Sequence, residues 1–332
     1  MKLLLILALL LGLLPLAATA TGCTGWTNST VQCFVDNRER TIPPGVYTFT
    51  APVVLPEGIY LEGYGVTLIL QGSGAFTSQA VRNIGLEGFR IQGDTTTEVN
   101  VLNFPNLTEN GVLHDLYIDG FKGVAIYGGT SARENTVRNL NRSLKPAVGI
   151  YGVTLVEANY IEGVYIGGSG GRVVLGNTIA FSGHGAWYPG NNTYFAFNEV
   201  YGPGGVDADN NSGGAIIGNR FHNPEIAVTS FITYAGSRST NLQIAHNYME
   251  GCTLNCIEIR DAFGDGSGTL ELFNITDNII KGSLGWGIYA GRWWSISPLL
   301  DYSVITGNIL SGNAKGIDAP GPHNIVQNNI IR

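Results

Sequence analysis

Apolar and polar positions in this chain alternate in runs of only three or four residues, and one unit recurs. It is an apolar residue, two others, Asn, any residue, then a second apolar residue. The unit reads V-E-A-N-Y-I around Asn159 and I-A-H-N-Y-M around Asn247, and further copies place Asn177, Asn198, Asn219, Asn278, Asn308 and Asn329 at the same point. The spacings along these eight are 18, 21, 21, 28, 31, 30 and 21 residues. Most copies carry a second short element some residues later, as in Gly163–Ile166, Gly205–Ala208, Gly287–Ala290 and Gly316–Ala319. Alternation with a period of two marks half-buried strands, and the Gly between elements supplies tight corners. Gly and Asn interrupt every apolar run, so no window sustains a helical period.

Repeats of this length define a solenoid. Short strands, corners and no helices describe one elongated all-β domain, a single-stranded right-handed parallel β-helix of about ten or eleven coils. It is expected over residues 42–332, behind a cap segment at 21–41 that covers the pairing edge of the first coil. The repeated Asn belongs at a corner. There its amide bonds backbone groups and the amide of the next coil, forming a ladder. Earlier coils put Phe89 and Leu116 at this point, and the coil near Asn139 and Leu140 has no clear register.

Composition narrows the compartment and the partners. Charged residues are 13% of the chain, Gly is 47 of 332 residues and the net charge is −7. A net negative charge argues against a nucleic-acid or anionic-membrane partner. Residues 1–20 read as a signal peptide: Lys2, an apolar run from Leu3 to Leu14, Pro15, and an A-x-A site at Ala18-Thr19-Ala20. A lipoprotein box ending at Cys23 is the weaker alternative, since Ala20-Thr21-Gly22 lacks a large aliphatic residue. No later segment is apolar enough for a membrane span. The chain is expected to be secreted or held at the cell surface. Its four cysteines form two local pairs, Cys23 with Cys33 and Cys252 with Cys256, which read as short-loop disulfides. Sequons at Asn28, Asn106, Asn141, Asn191, Asn210 and Asn274 fit an exported surface. The C-terminal Asn329-Ile330-Ile331-Arg332 falls mid-repeat, which leaves the last coil for a partner or a further segment to cover.

The stretches Ile42-Pro43-Pro44-Gly45-Val46-Tyr47, Val53-Val54-Leu55-Pro56-Glu57-Gly58-Ile59 and Leu61-Glu62-Gly63-Tyr64-Gly65 resemble the opening coils of pectate-lyase-like β-helix proteins. The N-x-I and G-I-x-I units are similar to the generic repeat of that superfamily. The resemblance covers about residues 40–332 and implies the fold. It does not choose among the lyases, hydrolases, epimerases, esterases, tailspikes and non-enzymatic surface proteins of the group.

Chemistry on such a scaffold sits where outward side chains of successive coils line up. Aligning the strands after the Asn corner gives an outward column of Tyr151, Tyr165, Trp187, Asp207, Ala227, Glu258, Tyr289 and Asp318. A second column holds Asp209, Thr229 and Arg260. Asp207 and Glu258 fall two coils apart, roughly 9–10 Å, near the separation of an inverting glycosidase's carboxylates. Tyr151, Tyr165, Trp187 and Tyr289 are candidates for stacking sugar rings. Gly183-His184-Gly185 is similar to the G-H-G element of polygalacturonases, although no N-T-D or Asp pair precedes it and Glu258-Ile259-Arg260-Asp261 is only loosely like their R-I-K.

The expectation is a secreted protein that cleaves an extracellular polysaccharide by acid–base hydrolysis, with Asp207, Asp209, Glu258, Arg260 and His184 as candidate catalytic residues. One alternative is a polysaccharide lyase, with calcium at Asp207, Asp209 and Glu258 and Arg260 as base or clamp. A non-catalytic glycan-binding or structural surface protein is the other.

Overall fold

The structure is a computed structural model that describes residues 22–139, 147–263, 267–291 and 299–332. The expected signal peptide, the sequon at Asn141 and Leu140 lie outside the described residues. Three long parallel sheets run the length of the molecule, with thirteen, twelve and twelve strands among the described residues. Each coil contributes one strand to each sheet. The first sheet begins with Gly45–Phe49, the second with Val53–Val54 and the third with Ile59–Glu62. A side pair, Arg238–Thr240 with Thr269–Glu271, is added where two coils carry insertions.

Strands here are mostly three to five residues because the corners recur so often. Each strand turns its central apolar residue inward, and equal registers stack these into columns. In the first sheet Ile118, Val137, Ile161, Ile179, Val200, Phe221 and Met249 form one continuous column, and all are fully buried. Burial of each such side chain is worth about 1.5–3 kcal/mol.

The corner between the third and first sheets carries the repeated Asn. One residue in the left-handed region precedes it, such as Ala158, Phe197 or His246 at φ 54°, 53° and 55°. The side chain then repays this backbone cost of about 1–2 kcal/mol. The Nδ2 of Asn198 donates to Asn219 Oδ1 at 3.1 Å and to Val174 O at 2.9 Å, and its backbone N–H donates to the same Asn219 oxygen at 2.8 Å. All eight expected Asn take part, and Asn135 adds a further rung before Asn159. The Leu116 N–H donates to Asn135 Oδ1 at 3.0 Å, so the ladder starts where Leu116 occupies the corner.

Helix α1 (Asn28–Asp36) lies over the first coil. Its Val31, Phe34 and Val35 are buried. The Gln32 amide accepts from Val54 N at 2.8 Å and donates to Val54 O at 3.1 Å, pairing the edge as a strand would. The Cys23–Cys33 disulfide ties the preceding segment to this helix. At the other end, Ile325, Val326, Ile330 and Ile331 are exposed on the last strands.

Candidate active site on the second sheet

The second sheet displays the column that the sequence pointed to, with a changed membership. From the N-terminal side it runs Asn103, Tyr127, Tyr151, Ser169, Tyr188. It continues as Asp207, Thr229, Glu258, Tyr289, Asp318. Asp207 and Glu258 therefore share a face two rungs apart, as expected, but Thr229 stands between them. Ala227 is buried at the preceding corner.

Trp187 is a correction. It is fully buried and takes no part in a surface for sugars. The strand Gly185–Tyr188 shifts register against Gly205–Asp207, with Trp187 opposite Val206. Trp187 stacks in regular register on Gly168 and Ile150 in the inward column, and Tyr188 on Ser169 and Tyr151 in the outward one; the extra residue relative to Gly205–Asp207 is what displaces the count. The indole Nε1–H donates to Gly170 O at 2.9 Å. Its ring fills the space over Gly168, where an added Cβ would clash with Trp187 Cζ3 and meet Ile150 O at 2.7 Å. Gly168→Ala is accordingly expected to destabilise the fold by about 1–3 kcal/mol, read by urea unfolding. Trp187→Leu in the same chain should recover part of that loss only if the ring is the obstacle.

Tyr165 also leaves the column. It precedes the strand Ile166–Ser169, is half-buried, and meets the His184 ring edge-on at 5.5 Å. Tyr151 stays on the column and is exposed, and Tyr289 is half-buried there.

Asp207, Asp209 and His184 do converge. Together with Tyr188, Thr229 and Phe231 they line a groove of about 440 Å³. The Thr229 hydroxyl lies 2.9 Å from Asp207 Oδ1 and 3.4 Å from Asp209 Oδ1, so one hydroxyl faces both carboxyls. Asp209 Oδ1 also accepts from Phe231 N at 2.9 Å. Burial raises Asp207 above the usual carboxylate range, against hydrogen bonds from Thr229 and Tyr188 and the nearby His184, which favour its charge. Asp209 is pushed up to about 6, first by burial and then by the charge of Asp207, with the Phe231 N–H, Thr229 and Arg260 opposing. Tyr188 lies 2.9 Å from His184 Nδ1, and burial beside Asp207 raises its phenol. A chain of hydrogen-bonding groups thus runs from His184 through Tyr188 to Asp207.

Glu258 and Arg260 stand beside this groove and do not line it. Glu258 is 4% exposed, and both its oxygens are engaged. Arg260 Nε is 2.8 Å from Oε1 and Asn255 Nδ2 is 3.1 Å from Oε2. The guanidinium lies 4.6 Å from the centre of the Phe231 ring. Burial lowers the Arg260 pKa, against the pull of Glu258. Asn255 sits inside the Cys252–Cys256 loop, and its Oδ1 accepts from Trp286 N at 2.7 Å. The second disulfide therefore holds a residue that holds Glu258.

A calcium ion at Asp207, Asp209 and Glu258 does not fit these residues. The two aspartates face a common hydroxyl, while Glu258 is committed to Arg260 and Asn255. Among the described residues no three His, Cys, Asp or Glu side chains are placed to hold one metal ion.

Sequence reasoning missed Tyr188, Phe231 and Asn255. Tyr188 was hidden by the register shift. Phe231 was one alternation beyond Thr229, and the insertion before Ala227 concealed the phase of that strand.

No protein-family model and no curated protein sequence matches the chain. Solved structures do match in shape. The Streptococcus pneumoniae surface protein and adhesin PfbA superposes with a TM-score of 0.54 at 10% identity, covering 92% of this chain and 96% of its own. The A-module of the Azotobacter vinelandii mannuronan C-5 epimerase AlgE4 gives 0.55 at 17% identity, covering 92% and 98%. The pre-mature bacteriophage phi29 gene product 12 gives 0.55 at 11% identity, covering 89% of this chain and 48% of that one. The fold is the right-handed parallel β-helix. At these identities the likeness is one of fold. Among the described residues no helix is long and apolar enough to cross a membrane.

Proposed function

We propose that this β-helix protein is an extracellular, carbohydrate-active enzyme that hydrolyses a polysaccharide, with Asp209 and Asp207 as its acid and base. The observation that carries the reading is the pair itself: two half-buried carboxyls, both with raised pKa values, facing one hydroxyl in an open groove. Coupled carboxyls hold a single proton over a range of pH. That proton is assigned to Asp209, which burial and the charge of Asp207 push up to about 6, while Tyr188 and His184 favour charge on Asp207. Asp209 gives its proton to the glycosidic oxygen as the C–O bond breaks. Asp207 takes a proton from the water that attacks the anomeric carbon. Tyr188 and His184 hold Asp207, and Arg260, steadied by Glu258, faces Asp209. The export signal read at residues 1–20 and the two disulfides support an extracellular setting, as does a surface adhesin among the structural neighbours, and the mannuronan epimerase supports a carbohydrate-related role.

The lyase alternative draws on the His184–Tyr188 contact, which suits proton abstraction. Against it, no Lys or Arg is among the described residues lining the groove. Such a reaction on a uronate needs a cation at the carboxylate.

The pH–rate profile tests the hydrolase. With Asp209 as the acid at about 6, activity is expected to fall as pH rises through that value and to fall again in stronger acid as Asp207 protonates. The sign for stability agrees. A carboxyl raised on folding stabilises the fold most below its unfolded pKa of about 3.9, and that contribution is lost as pH rises through the folded value. The melting temperature should therefore decline from mildly acidic to neutral pH, and less so in Asp209→Asn. An activity that rises steadily above neutral pH would remove Asp209 as the acid.

A further inference from the structure

The outward column that holds Asp207 continues for several rungs toward the N-terminal side, and a second hollow lies there. Tyr127 and Tyr151 sit on adjacent rungs with ring centroids 5.3 Å apart and planes inclined by only 3°. Tyr151 is 43% exposed. The two rings border a hollow of about 360 Å³ that Glu98 and Asn100 also line. Asn100 donates through Nδ2 to Asn103 Oδ1 at 3.3 Å, so amide groups are gathered beside the aromatic faces.

We propose that this hollow is a second binding subsite for the same ligand, and that the ligand is a polymer of uncharged sugars. The inference rests on the glycan reading of the groove but not on its hydrolysis. Three rungs separate Tyr151 from Asp207, about 14 Å at roughly 4.8 Å per rung. A disaccharide in the groove does not span that distance, and a longer oligosaccharide lying along the second sheet does. Tyr151, exposed and held in place by its stack on the half-buried Tyr127, offers an apolar ring to the C–H face of a pyranose, while neighbouring amides meet ring hydroxyls.

Charge selects among polymers. Asp207, Asp209 and Glu225 line the groove, and Glu98 lines the second hollow. No Lys or Arg is among the described residues that line either one. Arg260, alongside the groove, is ion-paired to Glu258 at 2.8 Å. A polyuronate would bring one carboxylate per sugar into a field of the same sign, and the described lining residues include no Arg or Lys to pair with it. An uncharged glycan meets no such penalty.

Calorimetric titration of the full chain checks both halves. The probes are hexasaccharides and disaccharides of β-1,4-linked glucose, xylose and mannose, with hexagalacturonate and hexamannuronate as the charged counterparts. At least one neutral hexasaccharide is expected to bind more tightly than both uronates and than its own disaccharide. Tyr151→Ala should weaken that hexasaccharide about tenfold, leave the disaccharide unchanged, and leave the melting temperature in place. Tyr151→Phe should restore binding. Tighter binding of a uronate, no binding of any neutral probe, or an unchanged hexasaccharide affinity in Tyr151→Ala would overturn the inference. A neutral hexasaccharide that binds in this pattern and is never cleaved would uphold the subsite and remove the hydrolase. Cleavage of a uronate with new reducing ends and no unsaturated ends would do the reverse.

Discussion

Asp209→Asn is expected to lower turnover by about 10²–10⁴-fold, the range that a positioned general acid contributes. The amide keeps the shape and can still accept from Phe231 N, which now sits 2.9 Å from Asp209 Oδ1. What it lacks is a proton that it can give up. Loss of the alkaline limb of the pH profile, together with a melting temperature no lower than that of the parent at neutral pH, separates lost chemistry from lost folding. Asp207→Asn should be equally inactive, because its amide cannot take a proton from water. Glu258→Gln is the informative contrast. Glu258 lies outside the groove with both oxygens engaged, so this variant should lose activity by a smaller factor and only through Arg260. A Glu258→Gln loss as deep as that of Asp209→Asn would return Glu258 to the reacting pair.

The second large effect concerns the Asn ladder. Asn219 Nδ2 donates to Phe195 O and to Asn247 Oδ1, each at 3.0 Å, and its Oδ1 accepts from the backbone N and Nδ2 of Asn198. Asn219→Ala takes the acceptor from the buried Asn198 N–H and removes one bond each from Asn198 Nδ2, Phe195 O and Asn247 Oδ1, and a buried group left unmatched costs about 1–3 kcal/mol. A total of about 3 kcal/mol or more is expected, read as a lower urea midpoint. Asn219→Leu should fare little better. Leu116 fills an equivalent corner, but there the ladder has only begun and the Leu116 N–H finds Asn135 Oδ1. Asn329→Ala, at the exposed end of the ladder, should cost less than Asn219→Ala. Equal costs at both positions would argue that the corner Asn acts through local turn preference and not through the stacked amides.

The contrast between ladder and column shows what the sequence could and could not convey. The corner is legible because its Asn serves every coil in the same way, so identity and position repeat together. Phe89 and Leu116 were placed at that corner from pattern alone, and Leu116 is joined to the ladder there. Asn135 fits the same unit as A-R-E-N-T-V, and only the nearby Asn139 obscured it. The two disulfides were legible because each closes a short local loop. The outward column repeats no residue type, so its phase must be carried from strand to strand by counting. Counting fails wherever one strand gains a residue. It did so at Gly185–Tyr188, where Trp187 turned inward, and at the insertion before Val228, where Thr229 took the place expected for Ala227. A slip of one residue reverses the facing of a side chain. Asp207, Asp209, Glu258 and Tyr289 survived because their own strands were read in the correct phase. Pairing of Asp207 with Asp209 was not legible, since it depends on burial and on the Thr229 hydroxyl between them.

Product analysis tests the central claim most directly. The parent protein and Asp209→Asn would be incubated at mildly acidic pH with neutral and uronate polysaccharides, with and without a calcium chelator. New reducing ends and ultraviolet-absorbing unsaturated ends would be measured in the same samples. The account predicts new reducing ends from a neutral polymer, no unsaturated ends, no effect of the chelator, and almost no product from Asp209→Asn. Unsaturated ends, or undiminished product from Asp209→Asn, would contradict it.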